Sequence, residues 1–406
     1  MGKNMINMKK ILNLIILLMV ITCGFNVCRA NNGFALEMDS LMKSVYYESA
    51  PGAAVLVAYG DSVLFEGYYG TSDMELQTPV DSSTVFNIAS ISKQFTVASI
   101  LKLQEKGKLS IDDSVASFFP EYRSDIWQKV KLRHIMSQSS GIPDLRPRDD
   151  RNFMLYANDS QSMEYFKDLD SLKFEPGTEY DYVNPTFLLL AEIIHRIEGI
   201  EFVDFQKRNI FKPAGMTSTC YFNPDEEIPH SAHGYVPNGN VMANVADMDS
   251  FKSYERTDDY FIDNRGRQWA ECDYGEETFF ATRPDGGIYS TARDLLKWEA
   301  LLSSHEFIGA ASLDNAYSRQ VKVSGSQYST YQNRANTWYG YGWFVDDTPG
   351  RPVKIYHTGD NGGFQAYLAK YAGSLVRVII LSNRNDVDRW KLQNNVEILL
   401  VRHGIL

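Results

Sequence analysis

The chain predicts an α+β fold: an antiparallel sheet flanked by helices, joined to a mostly helical second lobe. Two hairpins carry the prediction. One spans Ala53 to Gly67 and turns at Gly60-Asp61. The other alternates over Phe364 to Tyr371, turns at Ala372-Gly373-Ser374 and continues through Leu375 to Leu381. Strands from both ends of the chain, covered by helices, make one layered domain. The part between Pro120 and Pro284 carries helix and loop signals instead. The expected organisation is a leader over 1–30, a discontinuous sheet domain of 31–119 and 285–406, and a helix- and loop-rich lobe of 120–284, with the active cleft between lobes. With 406 residues, 44% of them apolar, a large core can be buried.

Taken in order, the first thirty residues hold Lys3, Lys9, Lys10 and Arg29 and no acid. The run Ile11 to Ile21 is apolar except for Asn13, and Cys28-Arg29-Ala30 offers a small-x-small cleavage site. This is the pattern of a secretory signal, which predicts an exported chain, periplasmic or extracellular. Val20-Ile21-Thr22-Cys23 faintly resembles a lipoprotein box, so a lipid anchor at Cys23 is the alternative. No second stretch is long and apolar enough to span a membrane. Without the leader, 36 basic residues face 51 acidic ones, a net charge of −15 that argues against nucleic acid or an anionic membrane as partner.

Past the leader, a helix is expected near Phe34 to Tyr47, then the first hairpin, then a strand-like run Thr84 to Ala89 and a helix through Phe95 to Leu103. A further apolar helix covers Phe187 to Ile194, and a C-terminal helix runs near Arg389 to Leu400. Asp225 to Thr282 is rich in charges and turn residues without periodicity and is expected to be a solvated surface excursion. His230 and His233 within it have no partner at recognisable zinc spacing, so they are expected to be loop histidines and no metal is predicted. Cys220 and Cys272 remain in the mature chain and are expected as separate thiols.

Three motifs carry the chemistry: Ser90-Ile91-Ser92-Lys93, Tyr182-Val183-Asn184 and His357-Thr358-Gly359. Ser-x-x-Lys also occurs at Ser40/Lys43 and Ser99/Lys102, which are expected to be solvent-facing pairs on helices. Ser90 differs because it sits where a strand hands over to a helix. Residues three apart on a helix share a face, with Cβ atoms about 5–6 Å apart, so the Lys93 amine can reach the Ser90 hydroxyl. A buried lysine can lose its proton near neutrality and act as base. The combination of S-x-x-K with a middle triad and a late K-T-G-like triad is a known signature of penicillin-interacting enzymes.

Tyr182-Val183-Asn184 lies in a loop ahead of the Phe187 helix. A phenol, with an ordinary pKa of about 10, serves as base only where a cation such as Lys93 favours the phenolate. Asn184 can donate to a substrate carbonyl and accept from Lys93. In the third motif, the missing side chain of Gly359 is expected to let substrate lie against a strand edge, with Thr358 and the His357 ring holding its polar or anionic end. The backbone N–H groups of Ser90 and Asp360 are the candidate oxyanion hole.

On these motifs, and on segments such as Pro51-Gly52-Ala53-Ala54-Val55, Gln138-Ser139-Ser140-Gly141-Ile142, Gly286-Gly287-Ile288-Tyr289-Ser290-Thr291-Ala292 and Tyr341-Gly342-Trp343, the chain resembles the class C β-lactamase and serine-type D-alanyl-D-alanine carboxypeptidase family. The resemblance covers nearly all of the mature chain. It implies Ser90 as acylated nucleophile, Lys93 and Tyr182 as proton-transfer pair, Asn184 as substrate-amide partner, and His357 and Thr358 as the far wall, with no cofactor or metal. The expected activity is that of a D-alanyl-D-alanine carboxypeptidase-like peptidase or related amide or ester hydrolase. Its substrates would be small peptides, amides, esters or β-lactams, peptidoglycan stem peptides among them. A class C β-lactamase or esterase is the alternative, and a sensor that acylates Ser90 without turnover the alternative of another class. His-Thr-Gly replaces the Lys-Thr-Gly of penicillin-destroying members. Histidine, with a reference pKa of about 6.5, is mostly neutral at pH 7, so grip on a substrate carboxylate should weaken.

Overall fold

The computed structural model describes residues 33–147, 150, 153, 157–223, 225–237, 260–272, 283–323 and 335–406; the leader, including Cys23 and Ala30, lies outside them. The chain divides into two compact units, Tyr46–Val387 and a smaller one formed by both termini. In the smaller unit, helix α1 over 33–45 and the C-terminal helix, Arg389–Arg402, are joined by an Arg402–Glu37 ion pair of 2.6 Å and an edge contact of the Phe34 and His403 rings. Both helices fall where the sequence puts them.

The larger unit is built on an eight-stranded antiparallel sheet. Its strands are β1 (Ala53–Tyr59), β2 (Ser62–Tyr69), β3 (Val321–Lys322), β4 (Thr337–Tyr339), β5 (Phe344–Asp346), β6 (Lys354–Asn361), β7 (Phe364–Tyr371) and β8 (Val376–Ser382), in the order β3-β4-β5-β6-β7-β8-β1-β2. Early and late hairpins therefore join through the β1–β8 pair, with Val55 opposite Ile380. Ala53 to Ala58 are each at most 2% exposed. Burial on both faces explains why β1 is a continuous apolar run and β8 carries one from Val378 to Leu381, whereas β2, at the edge, keeps half-exposed positions. Together with the helices this is the expected α+β fold.

Helix α2 (Ser92–Glu105) is buried on every side from Ser92 to Leu101. Phe95 stacks on Trp298 at 4.1 Å between centroids, and the Trp298 indole N–H donates to Gln94. Such a helix has no polar stripe, because no face of its first turns meets water. Ser99 is accordingly not solvent-facing, a correction to the sequence expectation: its hydroxyl donates to the Phe95 carbonyl and accepts from Gln206. Lys102 is half-buried beside Glu105, and only the Ser40/Lys43 copy is exposed. Helix α3 (Phe187–Glu198) presents Phe187 to Ala191, Ile193 and Ile194 to the core and ends at Gly199, whose φ of 67° supplies the left-handed C-cap.

Part of the 225–282 region departs from the expected surface excursion. Tyr235–Pro237, Gln268–Glu271 and Tyr260–Ile262 form a three-stranded antiparallel sheet with Trp269 and Tyr235 fully buried. Strands of three and four residues are too short to leave a readable period. The acidic pairs Asp247-Met248-Asp249 and Glu276-Glu277 lie outside the described residues. Cys220 and Cys272 are not joined by a disulfide, and Cys272 is buried.

Candidate active site

Ser90 is positioned by three successive constraints. The short strand Phe86–Asn87 pairs with Ile288–Ser290, and the Ile88 N–H donates to the Ile288 carbonyl. Ala89 then takes φ 45°, a left-handed conformation that costs a non-glycine residue energy; the Asn87 side chain accepts its N–H at 2.8 Å. A 3-10 turn, Ala89–Ile91, carries the hydroxyl to the start of α2. Ser90 stays half-buried while Lys93, one turn on, is fully buried. Lys93 Nζ donates to Ser90 Oγ at 3.0 Å.

Lys93 has a second anchor that sequence reasoning missed. Its amine also donates to the Asp285 carbonyl at 3.0 Å and reaches Asp285 Oδ2 at 3.5 Å. Asp285 belongs to the helical turn Arg283–Gly286, which is clamped along α2: Thr96 donates to the Pro284 carbonyl and the Ile288 N–H donates to Ser92. Burial lowers the Lys93 pKa to about 8, against the opposing pull of the Asp285 charge, and burial raises that of Asp285. The sequence signal was slight, an acid ahead of Gly286-Gly287 and 192 positions from its partner.

Tyr182 and Asn184 arrive on the loop before α3. Lys93 Nζ stands 4.8 Å from the Tyr182 ring centroid and 5.5 Å from that of Phe187. The loop is held by Gln138, whose carbonyl accepts from Asp181 N–H and whose side-chain oxygen accepts from Val183 N–H, both at 2.9 Å. Asn184 does not accept from Lys93, contrary to expectation: its Oδ1 is buried without a partner, and Asp285 takes that place on the amine. The two residues are far apart in sequence, so only packing could decide which reaches Lys93.

The third motif lies inside β6. Beyond Tyr356 this strand pairs with β7 alone, His357 opposite Leu368 and Asp360 opposite Gln365. Its other edge runs past the nucleophile segment so closely that a Cβ on Gly359 would sit 2.3 Å from the Ile88 carbonyl oxygen. The absent side chain therefore seats the strand against that segment, where it was expected to open the edge to substrate. His357 is 1% exposed, with Nδ1 2.7 Å from the Thr358 carbonyl and Nε2 3.0 Å from the Tyr339 hydroxyl. A carbonyl only accepts, so Nδ1 carries a proton toward Thr358, while Nε2 is engaged by the Tyr339 hydroxyl, which can donate or accept. The expected grip of the His357 ring on an anionic end is corrected accordingly, since both nitrogens are occupied.

A family profile described as Beta-lactamase matches residues 38–401, nearly the whole chain. This chain belongs to the Beta-lactamase family. Penicillin-binding protein 4* of Bacillus subtilis (strain 168) is 29% identical over 367 residues, covering 86% of this chain and 72% of that protein. Among solved structures, a penicillin binding protein from Bacillus halodurans superposes with a TM-score of 0.69 at 22% identity, over 89% of this chain and 98% of the other. D-amino acid amidase from Ochrobactrum anthropi SV3, complexed with L-phenylalanine amide, gives 0.68 at 18% identity, over 93% and 97%. At such identities these two likenesses concern the fold.

In this Beta-lactamase family member the structure brings Ser90, Lys93 and Tyr182 together and seats Gly359 against the nucleophile segment. A serine hydroxyl with a buried amine of lowered pKa at hydrogen-bond distance is the arrangement nucleophilic catalysis requires. Among the described residues, no group of three or more His, Cys, Asp or Glu gathers to hold a metal ion. His233 hydrogen-bonds Glu271 instead. Also among the described residues, no helix is long and apolar enough to cross a membrane.

Proposed function

We propose that the chain is a serine hydrolase that forms an acyl-enzyme on Ser90, with small peptides, amides or esters as substrates and a D-alanyl-D-alanine stem peptide foremost among them. The 3.0 Å contact between Lys93 Nζ and Ser90 Oγ carries the proposal. Neutral Lys93 takes the serine proton as Oγ attacks the carbonyl, and the N–H groups of Ser90 and Asp360 receive the oxyanion. Tyr182 passes the proton to the leaving group, and Asn184 and Thr358 orient the substrate amide. Export on residues 1–30 would place this reaction outside the cytoplasm.

The burial and hydrogen bonds of His357 favour a second reading within the same chemistry. A buried ring with both nitrogens engaged inside the protein offers a terminal carboxylate no donor, so acyl donors with neutral ends, simple D-amino-acid amides and esters, fit the far wall better than free peptide carboxylates. The likeness to a D-amino acid amidase points the same way. The test is a parallel assay of the purified protein on a D-Ala-D-Ala peptide, a D-amino-acid amide, a nitrophenyl ester and a chromogenic cephalosporin, with Ser90→Ala as control. Ser90-dependent release of D-alanine supports the peptidase, and faster amide turnover the amidase. A fluorophosphonate adduct persisting in Ser90→Ala, seen by intact mass, refutes the nucleophile assignment.

A further inference from the structure

One buried charge is not used by the reaction as described above. Asp285 is 3% exposed, its Oδ1 has no hydrogen-bond partner among the described residues, and its charged contact at ion-pair distance among them is Lys93 at 3.5 Å. A carboxylate removed from water costs energy unless a cation repays it. The backbone carbonyl of Asp285 already holds the amine, so any residue at this position would supply that anchor; the side chain adds charge. The segment is held in place on its far side as well, because Arg283 donates from its backbone N–H and its guanidinium to Asp159.

We propose that Asp285 is a positioning residue for acylation: its carboxylate orients the Lys93 amine onto Ser90 Oγ and balances the charge that amine acquires with the serine proton. In the step, the Oγ–H bond breaks as the bond from Oγ to the substrate carbonyl carbon forms, the proton moves to Nζ, and the new ammonium is paired with Asp285. The ammonium then returns the proton toward the leaving group. The groups facing the pair among the described residues fit this account. Tyr182 and Phe187 present rings to the amine, and Arg146, which disfavours charge on Lys93, is itself bound by Asp144 at 2.9 Å. The Asp159–Arg283 pair is closed on itself at 2.8 Å.

The inference rests on Ser90 and Lys93 acting as proposed above. Its test is the pH profile of kcat/KM for nitrophenyl ester hydrolysis by wild type, Asp285→Asn and Ser90→Ala. Loss of the carboxylate charge lowers the basicity of Lys93, so two changes are expected together: the acid limb moves down by roughly one pH unit, and the plateau falls roughly tenfold or more as the base weakens. A role in packing alone would lower the plateau and leave the limb where it is. A Ser90-dependent rate with an unmoved limb in Asp285→Asn overturns the role of Asp285 and spares the nucleophile. Undiminished turnover in Ser90→Ala overturns both. Asp285→Ser, which also removes the charge and carries the same two expectations, replaces the Asn variant if that melts below the assay temperature.

Discussion

Gly359 and Ile88 are in such close approach that the strand bearing one and the segment leading to Ser90 can adjoin only because Gly359 has no Cβ; the hypothetical atom would lie 2.3 Å from the Ile88 carbonyl oxygen and 3.1 Å from Ala89 Cβ. Backbone cannot swing aside as a flexible side chain can. Gly359→Ala should therefore displace the nucleophile segment or the strand. The expected result is a loss of about 1–3 kcal/mol of stability and a fall of about 100-fold in kcat/KM. A melting curve and ester kinetics measure both, and wild-type values for the alanine variant would remove the constraint.

Lys93 sets the pH dependence. In the proposed reaction its free amine is the base, so activity would belong to the deprotonated form. With the pKa lowered to about 8 by burial, kcat/KM should rise with pH through that value and level off above it. A profile already flat from pH 6 upward would mean that Lys93 does not accept the proton in the step being measured.

Gln138 should matter without touching the nucleophile. Gln138→Ala leaves the Val183 N–H buried without its acceptor, at a cost of about 1–3 kcal/mol, and frees the loop that presents Tyr182 and Asn184. We expect kcat/KM to drop about tenfold or more. Gln138→Glu keeps an oxygen for Val183 and should recover much of the loss. Equal damage from both variants would show that the side-chain bond to Val183 is not what matters.

His357→Lys replaces a buried ring, hydrogen-bonded to Tyr339, by an amine. Protein stability should fall, since Tyr339 loses its partner and a charge is placed beside buried aromatic rings. The ratio of kcat/KM for a carboxylate-ended peptide to that for a neutral amide should rise about tenfold. No change in that ratio would take position 357 out of substrate selection.

Local chemistry alone determined a good deal of this protein. The hairpins at Gly60-Asp61 and Gly373, the helices following Ser92 and Phe187, and the meeting of Ser90 with Lys93 all depend on residues a few positions apart, where backbone geometry leaves little choice. The order of the three motifs, far apart in the chain, pointed to one site because it matches a known signature, each motif being a short stretch legible by itself. Tertiary structure decided the rest. Asp285 meets Lys93 across 192 positions, Gly359 is required by the Ile88 carbonyl from a remote segment, and the His357 ring is engaged by the Tyr339 hydroxyl from another strand. Whether Ser99 faced water depended on what packed around α2, which no period within the helix can report. Contacts of this kind are set by how separate elements pack, and a sequence carries the residue types for them without stating which will meet.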